Sequence, residues 1–108
     1  MGRFKPDHET QLIVDRIVER KRPHKIILFG SRGRGAARPD SDIDLCVLYQ
    51  NLGMHNLKIS QELYGEIFDL MQAPVDLVVY DDQLFRERAR CSSCFESEIV
   101  RDGQIVYG

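Results

Sequence analysis

The sequence predicts a layered α/β (α+β) domain, and three observations predict it. Apolar runs of strand length alternate with stretches whose apolar residues recur at helical spacing. Glycines and prolines fall between these runs, and no internal repeat or long linker interrupts the alternation. A chain of 108 residues buries roughly two-thirds of the surface its unfolded form exposes, enough for one modest core. Residues 1–108 are therefore taken as a single domain. Alternation alone does not fix the order of the strands.

Asp7 to Lys21 is expected to be helical, because Leu12, Ile13, Ile17 and Val18 recur on one face, Asp7 offers a cap and Pro23 lies just past the end. Lys25 to Phe29 is a short apolar run closed by Gly30, which suits a buried strand. Ser31 to Ser41, rich in Gly, Arg and Ala, is a loop with room for one helical turn. Ile43 to Tyr49 forms a second strand. Asn56 to Met71 is a second helix with Ile59, Leu63, Ile67 and Leu70 along one stripe, and Ala73-Pro74 breaks it. Val75 to Tyr80 makes a third strand and Gln83 to Arg90 a short helix. Ser93 and Glu96 then read as a capping box before Phe95, Ile99 and Val100. Gly103 ends that helix, and Gln104 to Tyr107 is a last strand at a sheet edge.

Composition excludes several classes of function. The net charge of −2 means the chain as a whole is no electrostatic clamp, so no direct contact with nucleic acid is expected. Basic residues do cluster at Arg20-Lys21-Arg22, read as a solvated helix end, and at Arg32, Arg34 and Arg38. No apolar run approaches the ~20 residues that span a bilayer, so no membrane association is expected. The first residues lack the apolar stretch of a secretory signal. Three cysteines, an odd count, fit a reducing compartment, and the cytoplasm is the expected location.

The chemistry is expected on the second strand. Residues i and i+2 of a strand share a face, so Asp42 and Asp44 project together while Ile43, Leu45 and Val47 face the core. Two carboxylates held roughly 6–7 Å apart repel each other, and a divalent cation resolves that conflict. Gly30, directly after an apolar strand, lets the backbone turn and approach a ligand; Ser31 adds a hydroxyl, and Arg32 and Arg34 add positive charge beside it. Asp76 lies inside an apolar strand, where a carboxylate is costly unless paired or coordinating. Each feature has a plainer reading by itself: turn residues, an ordinary loop, an edge-strand Asp facing water. Together they are the parts required for two-metal phosphoryl-type transfer.

The run Leu28-Phe29-Gly30-Ser31-Arg32-Gly33-Arg34-Gly35, followed by Ser41-Asp42-Ile43-Asp44-Leu45, resembles the signature of the DNA polymerase β-like nucleotidyltransferase superfamily. Within it, the chain looks like the minimal nucleotidyltransferases, antitoxins paired with helical HEPN-domain toxins. The resemblance covers nearly the whole chain. It implies a small mixed sheet packed against helices, with Gly30 and Ser31 on the triphosphate of ATP. It also implies Asp42 and Asp44 on Mg²⁺, two ions in all. Asp76 would complete the metal site or help remove the acceptor proton. Gly33 stands where alanine is common in the family, a change expected only to loosen the loop.

Remaining motifs are plainer. Cys91-Ser92-Ser93-Cys94 is a C-x-x-C pair without a second pair at zinc-finger spacing, and His8, His24 and His55 show no ligand pattern. Cys46 is expected to pack as a small apolar group, and Tyr64, Phe68 and Met71 to serve core or interface. The functional expectation is transfer of AMP from ATP to a hydroxyl. With most of the chain used by the sheet and its helices, the acceptor surface is expected from another chain or from a self-assembled neighbour in a homo-oligomer. The resemblance makes that acceptor a tyrosine of the HEPN toxin. Two alternatives stand beside it: a non-catalytic antitoxin acting by occlusion, and a transferase acting on a small molecule.

Overall fold

A computed structural model describes residues 5–35, 41–53 and 55–108. The basic residue Arg38 and the remainder of 36–40 lie outside the described residues, as do residues 1–4 and Met54. The elements run in the order α1 (His8–Lys21), β1 (Lys25–Phe29), α2 (Gly30–Gly33), β2 (Ile43–Tyr49) and α3 (Asn56–Ile67). A 3₁₀ turn (Phe68–Leu70), β3 (Val75–Asp81), α4 (Asp82–Ala89), α5 (Phe95–Asp102) and β4 (Gln104–Tyr107) follow. The four strands form one mixed sheet ordered β3-β2-β1-β4. Strand β2 pairs antiparallel with β1 and parallel with β3, and β4 lies antiparallel on the outer edge of β1. The parallel pair needs a crossover, and α3 supplies it.

Both faces of the sheet are covered. On one face Ile26, Leu28, Ile43, Leu45, Val47, Val75, Leu77 and Val79 pack against Ile13, Val14 and Ile17 of α1 and Leu63 and Ile67 of α3. On the other, Ile27, Cys46 and Leu48 pack against Phe85 of α4 and Ile99 of α5, with Phe29, Val78 and Tyr80 beside them. The period-two alternation of β2 thus serves two cores, and Asp44 falls on the α4/α5 face with Cys46 and Leu48. Ile43, Leu45 and Val47 are each 0% exposed, worth roughly 1.5–3 kcal/mol apiece. Their sum exceeds the roughly 4 kcal/mol by which two charges about 4 Å apart repel near a protein surface. The strand can therefore fold with its acids clustered.

Several sequence expectations are met in detail. Asp7 caps α1, accepting from Thr10 N–H at 3.0 Å. The Arg20-Lys21 cluster is an inter-helix ladder: Arg16 bonds Asp69, Arg20 bonds Glu66 and Lys21 bonds Glu62. Such exposed pairs stabilise little, but they mask the cations. Tyr64 accepts from the Leu77 N–H at 2.9 Å, covering part of the outer edge of β3. Cys46 is fully buried as expected, whereas Phe68 is 79% exposed and outside the core.

Three expectations need correction. The second helix ends at Ile67 and tightens into the 3₁₀ turn instead of continuing to Met71. The last helix begins one residue later than a Ser93 cap requires, with Cys94 at the cap position and no side-chain cap bond. Glu96 is instead drawn to the sheet, where it accepts from the Tyr80 hydroxyl at 2.6 Å. A buried hydroxyl outcompetes a solvated backbone N–H for that carboxylate. Gly33 lies in α2 and is buried, so it is packed, not loose. A Cβ there would meet the Leu28 carbonyl oxygen at 2.6 Å. Among the described residues, no helix is long and apolar enough to cross a membrane.

Candidate active site

The candidate residues converge at one end of the sheet, where β1 finishes and β2 and β3 begin. In the pairing register Phe29 lies opposite Asp44, and Asp44 opposite Asp76. One lateral row therefore carries the strand end before Gly30 and two of the three acids. Asp42 stands just before β2 and is exposed, Asp44 is half-buried, and Asp76 is exposed at the second position of β3. Asp76 thus escapes the full cost of burial that its apolar neighbours imply.

Gly30 takes φ +67°, the left-handed region that side chains rarely adopt. A Cβ at this position would lie 2.2 Å from Asp44 Oδ2. The turn and the central acid are thus one unit, and the bare Cα is what lets the carboxylate sit against the backbone. Burial pushes the Asp44 carboxyl above its ordinary value; the charges of Asp76 and Asp42 and a hydrogen bond with Asp76 push it the same way. A carboxyl raised by burial and like charge is one whose ionised form a nearby counter-charge would stabilise. The donors are hard oxygens, which suit Mg²⁺ or a similar ion. Among the described residues, no three His, Cys, Asp or Glu side chains are gathered into a ready-made metal cage. Asp44 and Asp76 are paired, and Asp42 acts on Asp44 through space.

The remaining predicted residues divide. Ser31 is half-buried beside Gly30, and Arg34 is exposed at the end of α2. Arg32 turns inward. Its buried guanidinium donates through Nε to the carbonyls of Ser41 and Asp42, both at 3.2 Å, and through Nη2 to Ser41 O at 2.7 Å. It also bonds the Asp7 carboxylate. Burial opposes ionisation of Asp7, but the Thr10 bonds and Arg32 outweigh it and hold this carboxyl below its ordinary value. Arg32 therefore fixes the backbone that delivers Asp42 into β2.

Sequence reasoning missed the part played by the first turn of α1. While Asp7 meets Arg32, Glu9 Oε2 accepts from the N–H groups of Gln72 and Ala73, both at 2.8 Å, just ahead of β3. Ile43 N–H donates to Pro74 O at 2.9 Å and ties the two strand starts together. On the opposite side, Phe95 packs edge-on against Phe29 at 5.7 Å. No spacing rule links residues 25 to 66 positions apart, so nothing local could have signalled these supports.

Arg32→Ala is expected to cost about 3 kcal/mol, roughly 1–2 for each carbonyl left without its charged donor. Asp7 adds little, its side chain being 48% exposed. Arg32→Lys should recover less than half, because one ammonium cannot reproduce a planar fork. Urea unfolding measures both, and a loss below about 1 kcal/mol for Arg32→Ala would show that the clamp is dispensable.

Known proteins resemble the chain in sequence and in fold. The family described as "Polymerase beta, Nucleotidyltransferase" matches residues 11–108. The protein adenylyltransferase MntA of Aphanizomenon flos-aquae (strain 2012/KM1/D3) is 31% identical over 90 residues, which cover 76% of this chain and 55% of that protein. The chain thus spans little more than half the length of that relative. Among solved structures, a putative nucleotidyltransferase from Sulfolobus solfataricus aligns with TM-score 0.55 and 22% identity, covering 97% of this chain and 89% of that one. A toxin–antitoxin structure with AMP-PNP aligns with TM-score 0.55 and 23% identity, covering 94% and 74%. At these identities the structures show the fold alone. On the family match, which takes in α2 and all four strands, the chain belongs to the polymerase beta nucleotidyltransferase family.

Proposed function

We propose that this chain transfers AMP from ATP to a hydroxyl of a partner protein, and that it acts as the antitoxin of a toxin–antitoxin pair. The observation that carries the reading is the seating of the Gly30 turn against Asp44, in lateral register with Asp76. A glycine turn seated against clustered carboxylates supports the reading, because phosphoryl-type transfer needs backbone donors for phosphate beside hard oxygen donors. MntA, a protein adenylyltransferase, and the toxin–antitoxin structure with AMP-PNP support the choice of donor and of acceptor class.

Each residue has a stated task. Gly30 and Ser31 hold the triphosphate, with the backbone doing more than the hydroxyl. Asp42, Asp44 and Asp76 would hold Mg²⁺, with two ions as the proposed number. Bound there, the ions would neutralise charge developing on the transferred phosphoryl group and the leaving pyrophosphate. Asp76, exposed like Asp42, could also take the hydroxyl proton as the acceptor oxygen bonds to the α-phosphorus and pyrophosphate leaves. Arg32 keeps Asp42 in place, and Arg34 supplies long-range attraction for the triphosphate. A helical HEPN-domain toxin is the partner the family resemblance implies, with tyrosine as acceptor.

The test uses the proposed helical toxin partner, incubated with ATP, Mg²⁺ and either wild-type protein or Asp42→Asn. Mass spectrometry should find AMP-sized additions on the toxin with the wild type alone. A toxin that stays unmodified yet is neutralised equally by both proteins would establish occlusion instead. Modification of a free sugar or antibiotic in place of the toxin would favour a small-molecule transferase.

A further inference from the structure

Outside the acidic site, the chain carries a second group of reactive side chains at the turn between α4 and α5. Cys91 is exposed and Cys94 half-buried, and both are free thiols. The Cys94 N–H donates to Cys91 O at 3.1 Å, closing a four-residue turn. Turns of this kind hold their end Cα atoms within about 7 Å, and a disulfide spans about 4.4–6.8 Å between Cα atoms. The two thiols already interact side chain to side chain, and Cys91 Sγ lies 3.5 Å from Ser93 Oγ. The turn thus keeps the two backbones near the span a disulfide needs.

The turn is also held in place. Ser97 Oγ donates to Cys94 O at 2.7 Å and to Ser92 O at 3.2 Å. Phe95 packs on Phe29, and Glu96 is anchored by Tyr80. The pair is therefore presented by a fixed helix start instead of a wandering loop. Cys46 takes no part, being buried in the smaller core with its thiol pushed up to about 12 by burial and then by Glu96. A structural zinc would need four ligands, and no such group is gathered among the described residues.

We propose that Cys91 and Cys94 form a reversible dithiol–disulfide site that exchanges with small-molecule disulfides such as glutathione disulfide. Cys91 is the nucleophile. Hydrogen bonds from the Cys94 thiol, the Ser93 hydroxyl and the backbone N–H groups of Ser93 and Cys94 bring its thiol down to about 7, while Cys94 is raised by the same contact. The Cys91 thiolate attacks one sulfur of the small disulfide, forming a mixed disulfide and releasing one glutathione thiolate, which takes up a proton. Cys94 then loses its proton to solvent and attacks the Cys91 sulfur, releasing the second glutathione. Two protein thiols are oxidised to one disulfide, and one glutathione disulfide is reduced to two glutathione molecules.

The reaction is independent of nucleotide transfer and is tested on the full chain. Reduced protein is incubated with glutathione disulfide at pH 7, quenched with an alkylating reagent and mapped by mass. The expected product has lost two hydrogens, with Cys91 and Cys94 joined and Cys46 still alkylatable after unfolding. Cys91 should react about fivefold faster in the folded chain than in urea, a roughly fiftyfold gain in thiolate offset by about a tenfold loss of intrinsic nucleophilicity. Cys94→Ser should accumulate the glutathione adduct on Cys91, and Cys91→Ser should form no intramolecular disulfide. A wild type that stops at a stable glutathione adduct, or that reacts no faster folded than unfolded, would overturn the proposal.

Discussion

Asp44→Asn is expected to abolish nucleotide transfer while leaving the cation-free protein at least as stable as the wild type. Loss of a cation-holding oxygen removes several kcal/mol of charge stabilisation from the transferring phosphoryl group, and about 4 kcal/mol is a thousandfold in rate. Stability moves the other way, because ionised Asp44 is opposed by burial and by Asp76 and Asp42. Its folded-state value is raised, so the penalty is full at neutral pH and fades as pH falls through that raised value. Below the ordinary carboxylate range the acid is neutral in both folded and unfolded chains, and the difference between variant and wild type should vanish. Thermal unfolding with chelator at neutral and acid pH reads both limits. A variant destabilised by more than about 1 kcal/mol at neutral pH would make Asp44 a structural carboxylate and sink the cation site.

Gly30→Ala is expected to weaken nucleotide binding by about a hundredfold or more, against roughly tenfold for Ser31→Ala. The serine change removes one hydroxyl contact, worth about 1–2 kcal/mol. The glycine change acts twice. Alanine in the left-handed region is strained by about 1–2 kcal/mol, and its Cβ would stand 2.2 Å from Asp44 Oδ2. The chain can relieve the contact only by turning the carboxylate away or by flattening the turn, and either move takes apart the proposed site. Calorimetric titration with a non-hydrolysable ATP analogue and Mg²⁺ compares the two variants, with circular dichroism confirming that both fold. Wild-type affinity in Gly30→Ala would refute the phosphate-binding role of this turn.

These predictions sharpen what the sequence alone implied. A Gly after an apolar strand implies close backbone approach to something, and a ligand is the natural guess. In the structure that neighbour is Asp44 itself. Arg32 shows the opposite kind of shift. Its place in a Gly- and Arg-rich segment points toward phosphate, yet its guanidinium is turned onto the Ser41 and Asp42 carbonyls and the Asp7 carboxylate. A planar donor with five N–H groups satisfies partly buried carbonyls as readily as phosphate oxygens, and only the packing around it decides which.

What the sequence by itself determined is local. Strand β2 reads correctly because period-two alternation ties Ile43, Leu45 and Val47 to one core and sends Asp44 to the other face. Helix α1 reads correctly in its extent and its Asp7 cap, and Ile13 and Ile17 of the expected stripe are buried while Leu12 is exposed. What the tertiary structure alone decided is lateral. Asp44 and Asp76 stand side by side because β3 returns parallel to β2 through α3 in a particular register, which no spacing along the chain encodes. Asp7, Glu9 and Phe95 support the site from elements distant in sequence. Their partners are chosen by how two packed layers close on a sheet, where buried donors and acceptors must find whatever groups the packing brings near.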